Sequence, residues 1–134
     1  MRHVTIPFLT VFSMLLLASC TQTTAPHIDN PHGAFQGSLL MYDSTGSNPI
    51  QGRLSLSRGD STDLSGTWSL QNGQGGKLAG AMTDSTINVN LNPNLVDANT
   101  YLIGAFDGTT IKGRWFFVGV MGPINHGTFT ATSD

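Results

Sequence analysis

The chain has 134 residues, 6 Lys+Arg and 8 acidic residues, all of them Asp, for a formal net charge of −2. That is room for one domain, and 10% charged residues exclude both a solvated disordered chain and a polybasic nucleic-acid binder. One Cys excludes an intramolecular disulfide and a Cys-rich zinc site, while 16 Gly, no Glu and many Ser, Thr and Asn argue for strands and turns.

Arg2 and His3 make a short basic start, and Val4 to Leu17 is mostly apolar. This run is too short and wrongly flanked for a spanning helix and fits the apolar region of a secretory signal. It ends in Leu17-Ala18-Ser19-Cys20, with the single Cys where the apolar run stops. The ending resembles the lipobox of bacterial lipoproteins. That resemblance implies a signal peptide over 1–19, cleavage before Cys20, a diacylglyceryl group on its sulfur and an N-acyl group on its new amine. It further implies a membrane-anchored protein of the cell envelope, sorted by Thr21 to the outer membrane in a host with two membranes. No other cofactor is expected. Two or more acyl chains suffice for lasting anchorage, since each buried methylene adds ~0.8 kcal/mol.

Residues 20–33 read as a flexible tether from Cys20, because Thr21 to Gly33 has almost no apolar content. Thirteen flexible residues span roughly 20 Å r.m.s.. His27, Asp29 and His32 fall in this stretch. Two imidazoles on a floppy chain make a poor metal site, and no metal is expected.

From residue 34 to 134 one pattern recurs, apolar-x-Gly-x-apolar. It occurs around Gly37, Gly52, Gly66, Gly80, Gly104 and Gly113, with a partial copy at His126-Gly127-Thr128-Phe129. Turn residues fall between the copies: Ser44 to Pro49, Gly59-Asp60-Ser61, Asn72 to Gly75, Asp84-Ser85 and Asp107-Gly108. Asp-Gly is a strong two-residue hairpin signal. Thr86 to Leu91 alternates without the glycine and supplies one more strand. The fold expected is all-β: eight antiparallel strands in an up-and-down meander closed into a small barrel.

Alternation places Phe35, Leu39, Met41, Leu54, Leu56, Trp68, Leu70, Met82, Ile87, Val89, Leu91, Leu102, Phe106, Ile111, Trp115, Phe117 and Phe129 on one face. The repeated glycines share that face, and Ser, Thr, Asn, Gln, Arg and Lys dominate the other. Three features point the apolar face inward rather than to lipid. The strands are expected to be mostly shorter than the ~9–11 residues of a membrane strand. Aromatics sit mid-strand rather than in two girdles. A lipid anchor would also be redundant on an integral barrel.

Gly inside a strand marks a bulge, a bend or a close approach. Each glycine here either clears room for an indole or phenyl on a neighbouring strand or leaves a cavity. The cavity reading makes Trp68, Met82, Phe106, Trp115 and Phe129 candidate ligand contacts for an apolar small molecule. A buried indole N–H needs an acceptor, and the inward face offers no polar side chain. The run Phe116 to Ile124 contains Gly119, Gly122 and Pro123, so its later half is expected to be a loop between strands seven and eight that caps the core, gates a pocket or docks a partner. Tyr101, Ile103, Phe116 and Val118 fall on the otherwise polar face, a candidate patch for an envelope protein or a dimer; Tyr101 opposite Arg114 would stack on it.

Gly66-Thr67-Trp68 resembles the Gly-x-Trp strand of calycins, the group of lipocalins, fatty-acid-binding proteins and avidins. The resemblance implies an apolar-ligand calyx and gives no licence for biotin. Here the motif lies on the third strand rather than the first, and Ser69-Leu70 stands where avidins have Asn. Catalysis has little support, and the chain is read as a non-enzyme. The Asp residues fall in turns, loops or the terminus, His126 stands alone, and no Ser, His and Asp share a motif. Arg58-Gly59-Asp60 is ordinary turn chemistry. The readings left standing are a lipid-anchored binding or interaction module, a structural envelope lipoprotein with a packed core, and, last, a hydrolase.

Overall fold

A computed structural model describes residues 33–59 and 61–134. The stretch expected to be a signal segment, Cys20, His27, Asp29 and His32, and the expected tether up to residue 32 lie outside the described residues, as does Asp60. Eight strands follow in order: β1 (Ala34–Asp43), β2 (Ile50–Arg58), β3 (Asp63–Leu70), β4 (Gly75–Thr83), β5 (Thr86–Asn90), β6 (Ala98–Phe106), β7 (Thr110–Gly119) and β8 (Gly122–Ser133). Each pairs antiparallel with the next, and β8 returns to β1 to close the barrel.

Local chemistry sets the reversals. Asp43 closes β1 and accepts hydrogen bonds from the Thr45 hydroxyl and from the Thr45 and Ser47 amides. Asp84 takes a positive φ of 53° between β4 and β5. Between β6 and β7 the turn is one residue later than expected. Asp107 N–H donates to Thr110 O, so Gly108 and Thr109 form the tip, with Gly108 at φ +103°. A left-handed residue at the first tip position suits Gly.

The alternation holds, and the apolar face is inside. Seventeen buried apolar residues form one core cluster, with Leu70 and Trp115 half-buried against it. Leu64, Leu78 and Ala131 belong to the core in addition to the residues expected there. The strands are longer than expected: β1, β2, β4, β6, β7 and β8 each reach nine residues or more. Length therefore does not separate this barrel from a membrane barrel. The faces do, because a membrane barrel turns its apolar band outward.

Register explains the repeated glycines. In most pairs an inward glycine faces a large inward residue: Gly37 faces Leu54, Gly52 faces Leu39 and Leu70, and Gly66 faces Leu56 and Leu78, whereas Gly104 and Gly113 face each other. Gly113 faces Phe129 and Gly127 faces Trp115. Most partners are thus leucines rather than the aromatic rings expected. At Gly66 the strands also approach so closely that a Cβ would strike the backbone carbonyl of Ser55. Replacing Gly66 by Ala must push β2 and β3 apart and is expected to cost about 1–3 kcal/mol in chemical denaturation. Gly59→Ala, whose Cβ would meet nothing nearer than 3.9 Å, should stay within about 0.5 kcal/mol.

Candidate functional site: a cup at one end of the barrel

The two ends of the bore differ. At the end where β1 begins, Phe35 and Phe106 meet edge to face with centroids 6.1 Å apart. Leu56, Leu64, Met82, Ile87 and Ile111 pack around them and leave a void of about 10 Å³, barely one water. A middle layer follows in which Leu39, Leu54, Leu102, Ile111 and Phe129 are at most 1% exposed. The other end stays open. Above that layer lies a cup of about 310 Å³, at the small end of ligand pockets.

The cup's apolar walls come from alternate strands. Met41 stands on β1, Trp68 and Leu70 on β3, Leu91 just past β5, and Trp115 and Phe117 on β7. The rim is polar, with Asp43, Asn48, Gln74, Thr100 and Asn125. Trp68 faces Gly76 across the β3–β4 pair, and a Cβ on Gly127 would come within 2.6 Å of Trp115 Nε1. Small neighbours thus make room for both indoles.

Each indole is tied to a backbone carbonyl two strands further round the barrel. Trp68 Nε1–H donates to Leu91 O at 2.6 Å, and Trp115 Nε1–H donates to Tyr42 O at 2.7 Å. These carbonyls are the acceptors that the side-chain inventory lacked. The Leu91 carbonyl is placed by an asparagine network. Asn90 Nδ2 donates to Asn99 Oδ1 at 2.8 Å, the Asn92 amide donates to Asn90 Oδ1 at 2.9 Å, and the Leu91 amide donates to Thr100 O at 2.7 Å.

The five candidate ligand contacts are not one site. Trp68 and Trp115 line the cup, Met82 and Phe106 line the sealed end, and Phe129 fills the layer between. Periodicity put all five on the inner face but carries no depth along the bore. Met41, Leu70, Leu91 and Phe117 share the inward parity, and nothing in their alternation marks them out from the rest of that face. Their common signal is position at a strand end nearest the same set of loops.

The loop expected in the later half of Phe116 to Ile124 is only a two-residue turn. β7 runs on to Gly119, β8 starts at Gly122, and Val120 and Met121 alone form the tip. Gly122 at φ +104° permits this tight reversal. The tip does not cap the core, for Val120 is 77% and Met121 96% exposed. On the outer wall, Tyr101 pairs with Phe116, Ile103 with Arg114 and Asn99 with Val118, so the four patch residues adjoin. Arg114 therefore does not lie opposite Tyr101; its guanidinium sits 6.0 Å from the Phe116 ring centroid.

Among the described residues, Asp43 is the one ionisable side chain lining the cup. The hydrogen bond from the Thr45 hydroxyl, opposed by desolvation and aided by the amides of Ser47, Thr45 and Gly46, holds its carboxyl below the ordinary 3.8. At the sealed end the Thr109 and Thr110 amides lower Asp107 in the same way. A depressed folded-state pKa stabilises above the unfolded value, and that stabilisation fades as pH falls through the folded one. Both carboxyls should titrate below 3.8 by NMR, and Asp43→Asn and Asp107→Asn should each flatten the acid limb of a Tm-versus-pH curve. The chain matches no protein-family model and no curated protein.

Proposed function

We propose that the protein is a lipid-anchored lipoprotein of the bacterial cell envelope whose barrel binds a small apolar molecule in the cup. The observation that carries the binding reading is the open cup walled by Trp68 and Trp115, whose N–H groups are already engaged by backbone carbonyls. What such walls offer a ligand is hydrocarbon and ring surface, with amides and one carboxylate at the rim to orient a polar end. Among the described residues Asp43 alone of the ionisable groups lines the cup, which favours binding over hydrolysis. The anchor rests on Leu17-Ala18-Ser19-Cys20 and on the tether that precedes β1. Chain entry at the sealed end leaves the mouth at the opposite end of the barrel.

A second reading is a structural envelope barrel without a ligand, and the fully packed middle layer favours it, since it limits the cup to one end. A titration separates the two. Tryptophan emission should shift as 1-aminoanthracene enters the cup, and n-alkanols should displace the dye. Leu70→Trp, which fills the cup from its wall, should weaken dye binding tenfold or more. A wild-type protein that binds no probe, or a variant that binds equally well, leaves the structural reading standing.

The anchor has a separate test in membrane fractionation. Cys20→Ala should move the protein from the membrane to the soluble fraction and remove the mass of the acyl chains. Retention in the membrane at the wild-type level contradicts the lipidation.

A further inference from the structure

Seven large apolar side chains are exposed among the described residues, and six of them surround the mouth of the cup. Leu95 and Val96, 52% and 89% exposed, lie in the loop between β5 and β6. Val120, Met121 and Ile124, 77%, 96% and 65% exposed, belong to the β7–β8 hairpin. Ile50, 42% exposed, starts β2 and also lines the cup. The seventh, Ile103, is on the outer wall. The loop and the hairpin stand side by side: a Cβ on Gly119 would meet Ile124 Cδ1 at 2.5 Å and Asp97 O at 3.9 Å. Beside the cup's polar rim, the β5–β6 loop and the β7–β8 hairpin thus raise a cluster of apolar tips on this end face.

We infer that this end face docks on an uncharged or zwitterionic lipid surface, with Met121, Val120 and Val96 entering among the headgroups. Three observations select that occupant. First, the apolar groups project as tips of a narrow hairpin and a loop. A protein partner needs roughly 800 Å² of matched surface on each side, whereas a fluid bilayer accepts isolated tips. Second, the four connections at this end carry Asp97 and no Lys, Arg or His; Arg114 and His126, which flank the Asp43–Gly46 turn, lie at least five residues down β7 and β8 from the Val120-Met121 tip, so the tips themselves offer anionic headgroups no cation. Third, the reach is sufficient. From Cys20 to Ala34 the backbone spans at most about 48 Å when fully extended. Strands of about ten residues tilted by ~40° make a barrel about 25 Å tall. The end face can therefore touch the membrane that holds Cys20. This last step takes the lipidation from the proposed function; the docking itself does not depend on it. An apolar molecule could then pass between bilayer and cup without crossing water.

The barrel closes on itself from β1 to β8, so the chain from Thr21 onward, without lipid, serves as the test protein. It should float with phosphatidylcholine vesicles, to an extent unchanged by raising NaCl and not increased by phosphatidylglycerol. Met121→Asp and Val96→Asp, at positions too exposed to affect folding, should each weaken partitioning about tenfold or more. Ile103→Asp on the outer wall should leave it unchanged. A Met121→Cys variant carrying an environment-sensitive dye should blue-shift on vesicles. The inference is overturned if the chain does not float, or if Met121→Asp floats as well as the wild type. It is equally overturned if the chain is a dimer that Met121→Asp splits, because the occupant is then a second copy.

Discussion

Closing eight strands into a tube leaves an interior just wide enough for side chains. Two large inward residues cannot stand opposite each other at every level of so narrow a bore. The chain meets this constraint by pairing glycine with bulk across neighbouring strands: Gly66 with Leu56 and Leu78, Gly113 with Phe129, Gly127 with Trp115. At Gly66 and Gly113 the missing Cβ also lets one backbone close on the carbonyl of its neighbour, at Ser55 and Ile103 respectively. Curvature and packing thus come from the same residues. Gly in a strand costs conformational entropy, and here burial of the facing side chain, worth about 1.5–3 kcal/mol for each large apolar residue, offsets it.

The difference between the two ends follows from the hydrogen-bonding needs of aromatic rings. Phe35 and Phe106 have no donor to satisfy, so they can meet each other across the bore and shut it. An indole N–H taken out of water needs an acceptor. Within a tube of apolar side chains the acceptors are backbone carbonyls of the wall. Trp68 and Trp115 are each held to the wall by such a bond, and space remains between them. The same chemistry turns Asn90, Asn92 and Asn99 into structural residues, because they set the carbonyl on which Trp68 depends.

Most of the fold was legible in the sequence because period-two ordering and turn chemistry are local. The apolar-x-Gly-x-apolar copies and Thr86 to Leu91 identify the eight strands, and their parity puts nearly all the core inside. Leu64 and Leu78 share the parity of Trp68 and Met82, so the alternation already contained them. Ala131 is too small to announce itself. What parity does not carry is height along the bore. Phe106 and Trp115 look equivalent in sequence, yet one plugs an end and the other lines the opening. That depends on register, which is a property of strand pairs. The Tyr101–Phe116 pairing escaped sequence reading for the same reason, since a two-residue difference in register moves Arg114 from Tyr101 to Ile103. The connection at Val120-Met121 was legible from the glycines on either side, but its shortness was not, because it depends on Gly119 pairing with Gly122.

Closure of the tube by β1 against β8 has one further result. Gly37 pairs with Ser133, and the Asp134 amide donates to Gln36 O, so both termini of the barrel emerge beside each other at its plugged end. Any handle joined directly to either end of the barrel, whether a fluorophore, a fused neighbour or a linker that makes the chain circular, is attached at the pole opposite the opening. Such attachments, and new chain ends cut in the exposed Val120-Met121 tip, test the two poles of the molecule independently.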